Sequence, residues 1–419
     1  MEKESDKFKS GLDIGSSMLS VRCWSYKHIQ KEPSMNKVIY VDNNATTQTD
    51  PEVFEAMKPF FSEMYGNPSS IHTFGGQVAS HIKNGRESLA SLLGCEPTET
   101  IYTSCGTESD NSAIMSALFL NPERRKIVIS KVEHPAVKNL GSELVRRGYR
   151  VEEVPVDSKG RLDMDKLKQE VNAETAVVSV MWANNETGNI YPVHEIAEIA
   201  HQHGALFHTD AVQAVGKIPI NLSKGNIDML SLSGHKIHAP KGVGALYVKR
   251  GVRFRPYIIG GHQERSRRGG TENVTGIVAL GKAAELAQKN MKIENTKVKE
   301  LRDRLEKELT SRIPKTRVNG DIQNRLPNTT NISFEFIEGE AILLLVNQLG
   351  ICASSGSACT TGSLEPSHVL RAMGVPYTAA HGSIRFSLSR FNTDEEIDYI
   401  IEKFPPVIER LRQISPYWK

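Results

Sequence analysis

Between about residues 50 and 287, short β-branched and apolar runs alternate with longer amphipathic stretches. That is the pattern of βαβ units building a mainly parallel sheet. Six strands are predicted, at residues 100–103, 126–129, 176–181, 206–208, 229–232 and 244–248, each bounded by polar residues or by Gly and Pro. Residues 290–313 carry apolar positions at helical spacing among many charges and predict a long surface helix leading out of this α/β region. Strands at 330–336 and 383–388 and helices over 340–349 and 394–413 follow, an α+β pattern. Residues 353–365 are rich in Ser, Gly, Thr and Ala and predict a mobile loop, while residues 1–34 are polar without a sustained period and predict a disordered extension or tag. The expected organisation is that extension, a large α/β domain over 49–290, and a smaller domain over 35–48 and 291–419 that carries the loop.

Several predicted strands end in polar clusters rather than in plain turns. In order they are Ser104 to Ser109, Glu133-His134, Asn184-Asn185-Glu186, Asp210 to Gln213, and Ser233-Gly234-His235-Lys236. Ligands of open α/β sheets bind outside the carboxyl ends of the strands, so these distant clusters are expected to meet in one crevice.

Composition narrows the classes of function. A formal net charge of +3 over 419 residues gives no basis for expecting a nucleic-acid or membrane-surface partner. The longest apolar run, 341–346, falls far short of the roughly 20 residues that cross a bilayer. Five cysteines without CxxC or CxxH spacing indicate neither a disulfide framework nor a metal site, and a reducing, cytoplasmic compartment is expected. Residues 1–34 are too acidic for an organellar transit peptide and lack the apolar core of a secretory signal.

The clusters carry recognisable chemistry, each with an ordinary alternative. Lys236 follows a strand among small residues, where an amine can form a Schiff base; a solvated lysine is the alternative. Asp210 suits the protonated nitrogen of a pyridine cofactor, or simply caps the next helix. Gly106, Thr107, Glu108 and Ser109 provide a helix start able to hold a phosphate, although a capping box would use the same residues. Ser233 and His235 can add donors there, and Gln213 can reach a ring hydroxyl. His134 can stack on a flat ring and move protons, or be one more structural histidine. Cys359, among small polar neighbours in the loop, reads as a reactive thiol. Cys352 reads as buried and inert, and Cys95 and Cys105 as adjuncts of core elements. Arg385 suits a substrate carboxylate or a plain ion pair.

Taken together, the motifs resemble those of the cysteine desulfurases, pyridoxal-phosphate enzymes of fold type I, and most closely their nitrogen-fixation NifS branch. The resemblance runs from about Val38 to Lys419, through DNNATT (42–47), GNPSS (66–70), TSCGTESD (103–110), VEHPAV (132–137), ANNETG (183–188), HTDAVQ (208–213), SGHK (233–236), RRGGTEN (267–273) and SSGSACTTGSLEPSH (354–368). It implies that Lys236 holds pyridoxal phosphate covalently, Asp210 binds the pyridine nitrogen, Gln213 the ring hydroxyl, and His134 stacks on the ring. Gly106, Thr107, Ser233, Gly234 and His235 would surround the phosphate, with Thr271 reaching the cofactor of a second subunit in a homodimer. Asn185 would lie beside the cofactor and, with Arg385, orient the carboxylate of L-cysteine. Cys359 would accept the sulfur as a persulfide and deliver it to an iron-sulfur scaffold protein. The rival readings are a selenocysteine lyase or aminotransferase with the same cofactor, and a non-catalytic sulfur-handling adaptor.

Overall fold

The computed structural model describes residues 38–355 and 365–418, and in it the apolar runs become strands of one large sheet. The extension at 1–34, with Cys23, and the loop positions 356–364, with Cys359, lie outside the described residues. A short strand β1 (Ile39–Tyr40) comes first. The large sheet then uses β2 (Thr100–Thr103), β3 (Lys126–Ser130), β4 (Arg150–Val154), β5 (Thr175–Ser179), β6 (Leu206–Asp210), β7 (Met229–Ser233) and β8 (Gly244–Val248). Their spatial order is β2-β8-β7-β6-β5-β3-β4. The strands from β4 to β7 are parallel, and β8 runs antiparallel to both of its neighbours. Strands β2, β3, β5, β7 and β8 are buried at every position, as expected where both sheet faces are covered.

The sequence did not predict β4. Its segment RVEEV forms an edge strand with one neighbour and only Val154 fully buried, so no apolar run marks it. On the sheet's flank, helices Thr73–Leu93 and Val274–Ile293 cross at two glycines. A Cβ at Gly281 would lie 2.3 Å from the Cα of Gly85, so the backbones could not approach this closely with any larger residue there.

A second sheet is built from β9 (Thr316–Val318), β10 (Thr329–Phe334), β12 (Ser354–Ser355) and β13 (Ser383–Ser387), all antiparallel in the order β12-β13-β10-β9. Strand β11 (Ile351–Cys352) pairs in parallel with β1. This sheet has its own apolar cluster, in which Phe334 and Phe386 both meet Phe404 of helix Asp394–Ile414.

The helix predicted over 290–313 is part of a longer one. It starts at Val274, passes through a π turn at Glu294–Val298, and continues as Lys299–Arg312. Before the turn, Ile277, Leu280 and Ala284 belong to the cluster under the large sheet. After it, Leu301, Leu305 and Leu309 belong to the second cluster. The extra residue of a π turn rotates the apolar stripe, which re-aims it from one core to the other. No helix among the described residues is long and apolar enough to cross a membrane.

Candidate active site

The carboxyl ends of β2, β3, β6 and β7 open on one cavity of about 310 Å³. Ten of the residues singled out in the sequence line it: Gly106, Thr107, His134, Asn185, Asp210, Gln213, Ser233, His235, Lys236 and Arg385. The large sheet thus brings together positions from Gly106 to Lys236 by ending their strands on one side, and Arg385 joins them from β13 of a second sheet.

Lys236 closes the short 3-10 turn Gly234–Lys236 that follows β7. Its amine donates to the carbonyls of Asn44 and Ala45, both at 2.6 Å. These two residues come from the DNNATT segment, which is pinned on the second sheet by Asn43 N to Ser387 O (3.0 Å) and on the turn by Thr47 N to His235 O (2.9 Å). The amine is therefore oriented by chain from both sheets.

Carboxyl groups crowd the opposite wall. Asp210 accepts from the amide of Val212 at 2.9 Å, and burial raises its pKa against the pull of His134 and Lys236. Asp110 is held well above the usual carboxylate range by burial and by the charge of Asp210; its Oδ1 has no hydrogen-bond partner among the described residues and lies 3.6 Å from Nε2 of His208. Burial pushes His208 down to about 3, and its ring bridges Ser179 (2.8 Å) and Ser231 (2.9 Å) in neutral form. His134 is also lowered by burial. Its Nδ1 accepts from the Ala136 amide at 3.1 Å, so the neutral ring carries its hydrogen on Nε2.

The helix Gly106–Leu120 starts on the cavity, and its N-cap residue Cys105 makes no side-chain cap. Glu108 does not cap it either: its carboxylate takes the amide and hydroxyl of Ser104 and the guanidinium of Arg268. The first amides of the helix therefore remain for an anion, as a phosphate site requires. Nearby, the buried hydroxyl of Ser233 has no hydrogen-bond partner among the described residues. A Cβ at Gly106 would meet Val212 Cγ2 at 2.7 Å, so only glycine fits this close approach. His235, pushed down to about 4 by burial and the neighbouring Lys236, faces Thr46 Oγ1 at 3.1 Å. An uncapped helix start, an orphaned hydroxyl, a lysine amine and a buried carboxyl around one cavity match the phosphate, aldehyde and ring nitrogen of pyridoxal phosphate.

On the remaining side, Arg385 donates to Asp42 Oδ1 at 2.6 Å and to the Asn185 carbonyl at 3.0 Å. Gln213 donates from Nε2 to the Asn44 carbonyl (2.9 Å), while its Oε1 accepts from Lys217 (3.0 Å).

Of the described residues expected to hold the cofactor, two are not brought to this cavity. Gly234 lies behind its wall, where a Cβ would meet Ala239 and Val243 at 3.0 Å. Thr271 lines a different cavity, with Tyr102, Glu264 and Arg268. Cys352 is half-buried rather than fully buried, because β11 has only β1 as a neighbour; burial still raises its thiol pKa. Burial pushes Cys95 up to about 12, in keeping with an inert thiol, whereas Cys105 lines the cavity. Asn44, Ala45, Asp42 and Asp110 also belong to the site, although the sequence pattern pointed to no role for them. The polar DNNATT run, just after the short strand β1, was the sign of the first three, but β1 belongs to neither the large sheet nor the second one, so its end did not point to the crevice.

This architecture defines a class. The family model for class-V aminotransferases matches residues 39–400, and the chain belongs to that family, whose fold is that of the type I pyridoxal-phosphate enzymes. Within it, the chain is 60% identical over 380 residues to a cysteine desulfurase of Nostoc sp., covering 91% of this chain and 95% of that one. It is 59% identical over 381 residues to the cysteine desulfurase NifS of Azotobacter vinelandii, with the same coverage. A solved structure described as a NifS-like protein superposes with a TM-score of 0.84 at 39% identity, covering 89% of this chain and all of that one.

Proposed function

We propose that the protein is a pyridoxal-phosphate-dependent cysteine desulfurase that converts L-cysteine to L-alanine and passes the sulfur, as a persulfide on Cys359, to an iron-sulfur scaffold, with nitrogenase maturation as the process served. The observation that carries this reading is the shared cavity of Lys236, Asp210 and the uncapped helix start at Gly106. High identity to named cysteine desulfurases supports the choice of substrate.

In this reading Lys236 holds the cofactor covalently, Asp210 its ring nitrogen, and Gly106, Thr107, Ser233 and His235 its phosphate; His134 covers the ring and Gln213 meets its hydroxyl. Bound there, pyridoxal phosphate supplies an electron-withdrawing ring that stabilises negative charge at the substrate's Cα. Once the substrate's amino group has taken its place, the freed amine of Lys236, beside Asn44 and Ala45, would take and return the Cα proton. Arg385 and Asn185 orient the substrate carboxylate. Asp210 keeps positive charge on the ring nitrogen, and its burial makes that pairing stronger than it would be in water. His134, as seated against Ala136, is a donor at Nε2; it accepts a thiol proton only after giving up that hydrogen or that contact. In sulfur transfer the substrate's C–S bond breaks, an S–S bond forms at Cys359, and the carbon keeps the electron pair and is protonated to give alanine.

The remaining assignments belong to the same proposal: a large domain over 49–290, a small one over 35–48 and 291–419, and a homodimer in which Thr271 serves the second subunit's cofactor. The reading is tested by incubating the purified protein with pyridoxal phosphate, L-cysteine and a thiol. Alanine and sulfide are expected in equal amounts, with Cys359→Ala retaining the cofactor's absorbance but releasing no sulfide. Absence of alanine from the unmodified protein overturns the reading.

A further inference from the structure

Lys217 is buried just below the cavity and reaches it through another side chain. Its amine donates to the carbonyl of Gln213 at 3.2 Å and to its Oε1 at 3.0 Å. An ammonium group has hydrogens to give and no lone pair to offer, so it fixes which end of an amide faces it. The opposite end, Nε2 of Gln213, donates to the Asn44 carbonyl at 2.9 Å, and that same oxygen accepts from Lys236 at 2.6 Å. Nε2 carries a second hydrogen, and Gln213 lines the cavity.

We infer that Lys217 is a positioning residue that locks the Gln213 amide, so that the cavity meets an N–H donor and never the amide oxygen at this point. The lock selects a ligand that brings an oxygen acceptor there. In the proposed function, on which this inference rests, that acceptor is the ring oxygen of pyridoxal phosphate.

The surroundings of Lys217 favour a held cation. Glu294, at the start of the π turn, attracts the ammonium although burial raises its own carboxyl pKa, and Asn295 Nδ2 donates to the Lys217 carbonyl at 2.9 Å. Burial lowers the amine to about 8, against the attraction of Glu294 and with the repulsion of Arg385, so the charged donor still prevails at neutral pH.

The test is the dissociation constant of pyridoxal phosphate from apoprotein, read by absorbance, for the wild type and for Lys217→Met, Gln213→Ala, the double variant and Gln213→Glu. Each single loss is expected to weaken binding about tenfold, near the worth of one hydrogen bond. The double variant is expected to bind no more weakly than Gln213→Ala, since both act through one amide. Gln213→Glu keeps an oxygen for Lys217 but has no N–H to give, and is expected to bind as weakly as Gln213→Ala; it keeps the test open if Lys217→Met fails to fold. Additive losses in the double variant, or wild-type affinity in Gln213→Glu, overturn the inference while leaving the proposed function intact. A wild-type protein that takes up no pyridoxal phosphate overturns the proposed function, and the inference with it.

Discussion

Arg385 and Asp42 meet at 2.6 Å between the two sheets, with the Arg385 side chain almost wholly buried and its Nε without an acceptor among the described residues. The guanidinium is thereby held in place before any substrate arrives. A planar fork keeps its remaining hydrogens directed, whereas an ammonium at the same position would turn wholly to Asp42.

Arg385→Lys therefore retains a charge for Asp42 but loses the directed fork. The Michaelis constant for L-cysteine is expected to rise by about tenfold or more, with a smaller change in turnover number, as for a lost binding contact. Steady-state kinetics at saturating pyridoxal phosphate check this. Arg385→Gln leaves Asp42 without its cation and is expected to cost about 2 kcal/mol of stability as well, measurable by urea denaturation of the apoprotein.

Gly106→Ala forces a Cβ to within 2.7 Å of Val212 Cγ2 at the helix start that the phosphate would use. A stability loss of about 1–3 kcal/mol is expected from the overpacking, together with weaker cofactor binding. Adding Val212→Ala removes the clashing methyl groups and should recover most of the stability. Thermal unfolding of the single and double variants in the apo state gives the comparison.

Glu133 gives a pH signature. Burial pushes its carboxyl from 4.5 up to about 8, opposed by donors from Ser130 and Met181 and reinforced by the charge of Asp210. A carboxyl raised in the folded state favours folding while it is protonated, so its contribution is complete below pH 4.5 and is lost as pH rises through about 8. Glu133→Gln mimics the protonated acid and lacks that loss. Its stability relative to wild type should increase between pH 5 and 8, by roughly 3 to 4 kcal/mol. A difference in urea stability that stays flat over this range would contradict the assignment.

Much of the large sheet was legible because its strands are buried on both faces. The runs 100–103 and 244–248 coincide with β2 and β8, and the other four predicted strands match β3, β5, β6 and β7 to within two residues at every end. The polar residues just beyond them converge because parallel strands end on the same side. What escaped was set by packing between distant segments. The edge strand β4 has no apolar run, and the π turn at Glu294 arises where one helix serves two cores. The contacts of Asn44, Ala45 and Asp42 depend on a segment carried between sheets by pairing with Ser387 and His235. Nothing in the sequence marked Lys217, because its surroundings include Asn295, 78 residues later in the chain.

The account depends above all on Lys236 being the amine that holds the cofactor. Protein loaded with pyridoxal phosphate, reduced with borohydride and digested, should yield one pyridoxyl-labelled peptide whose fragmentation places the label on Lys236; Lys236→Ala should yield none and lose at least about 10³-fold in alanine formation. A label on Lys217, Lys241 or another lysine, or no label at all on loaded wild-type protein, would contradict it.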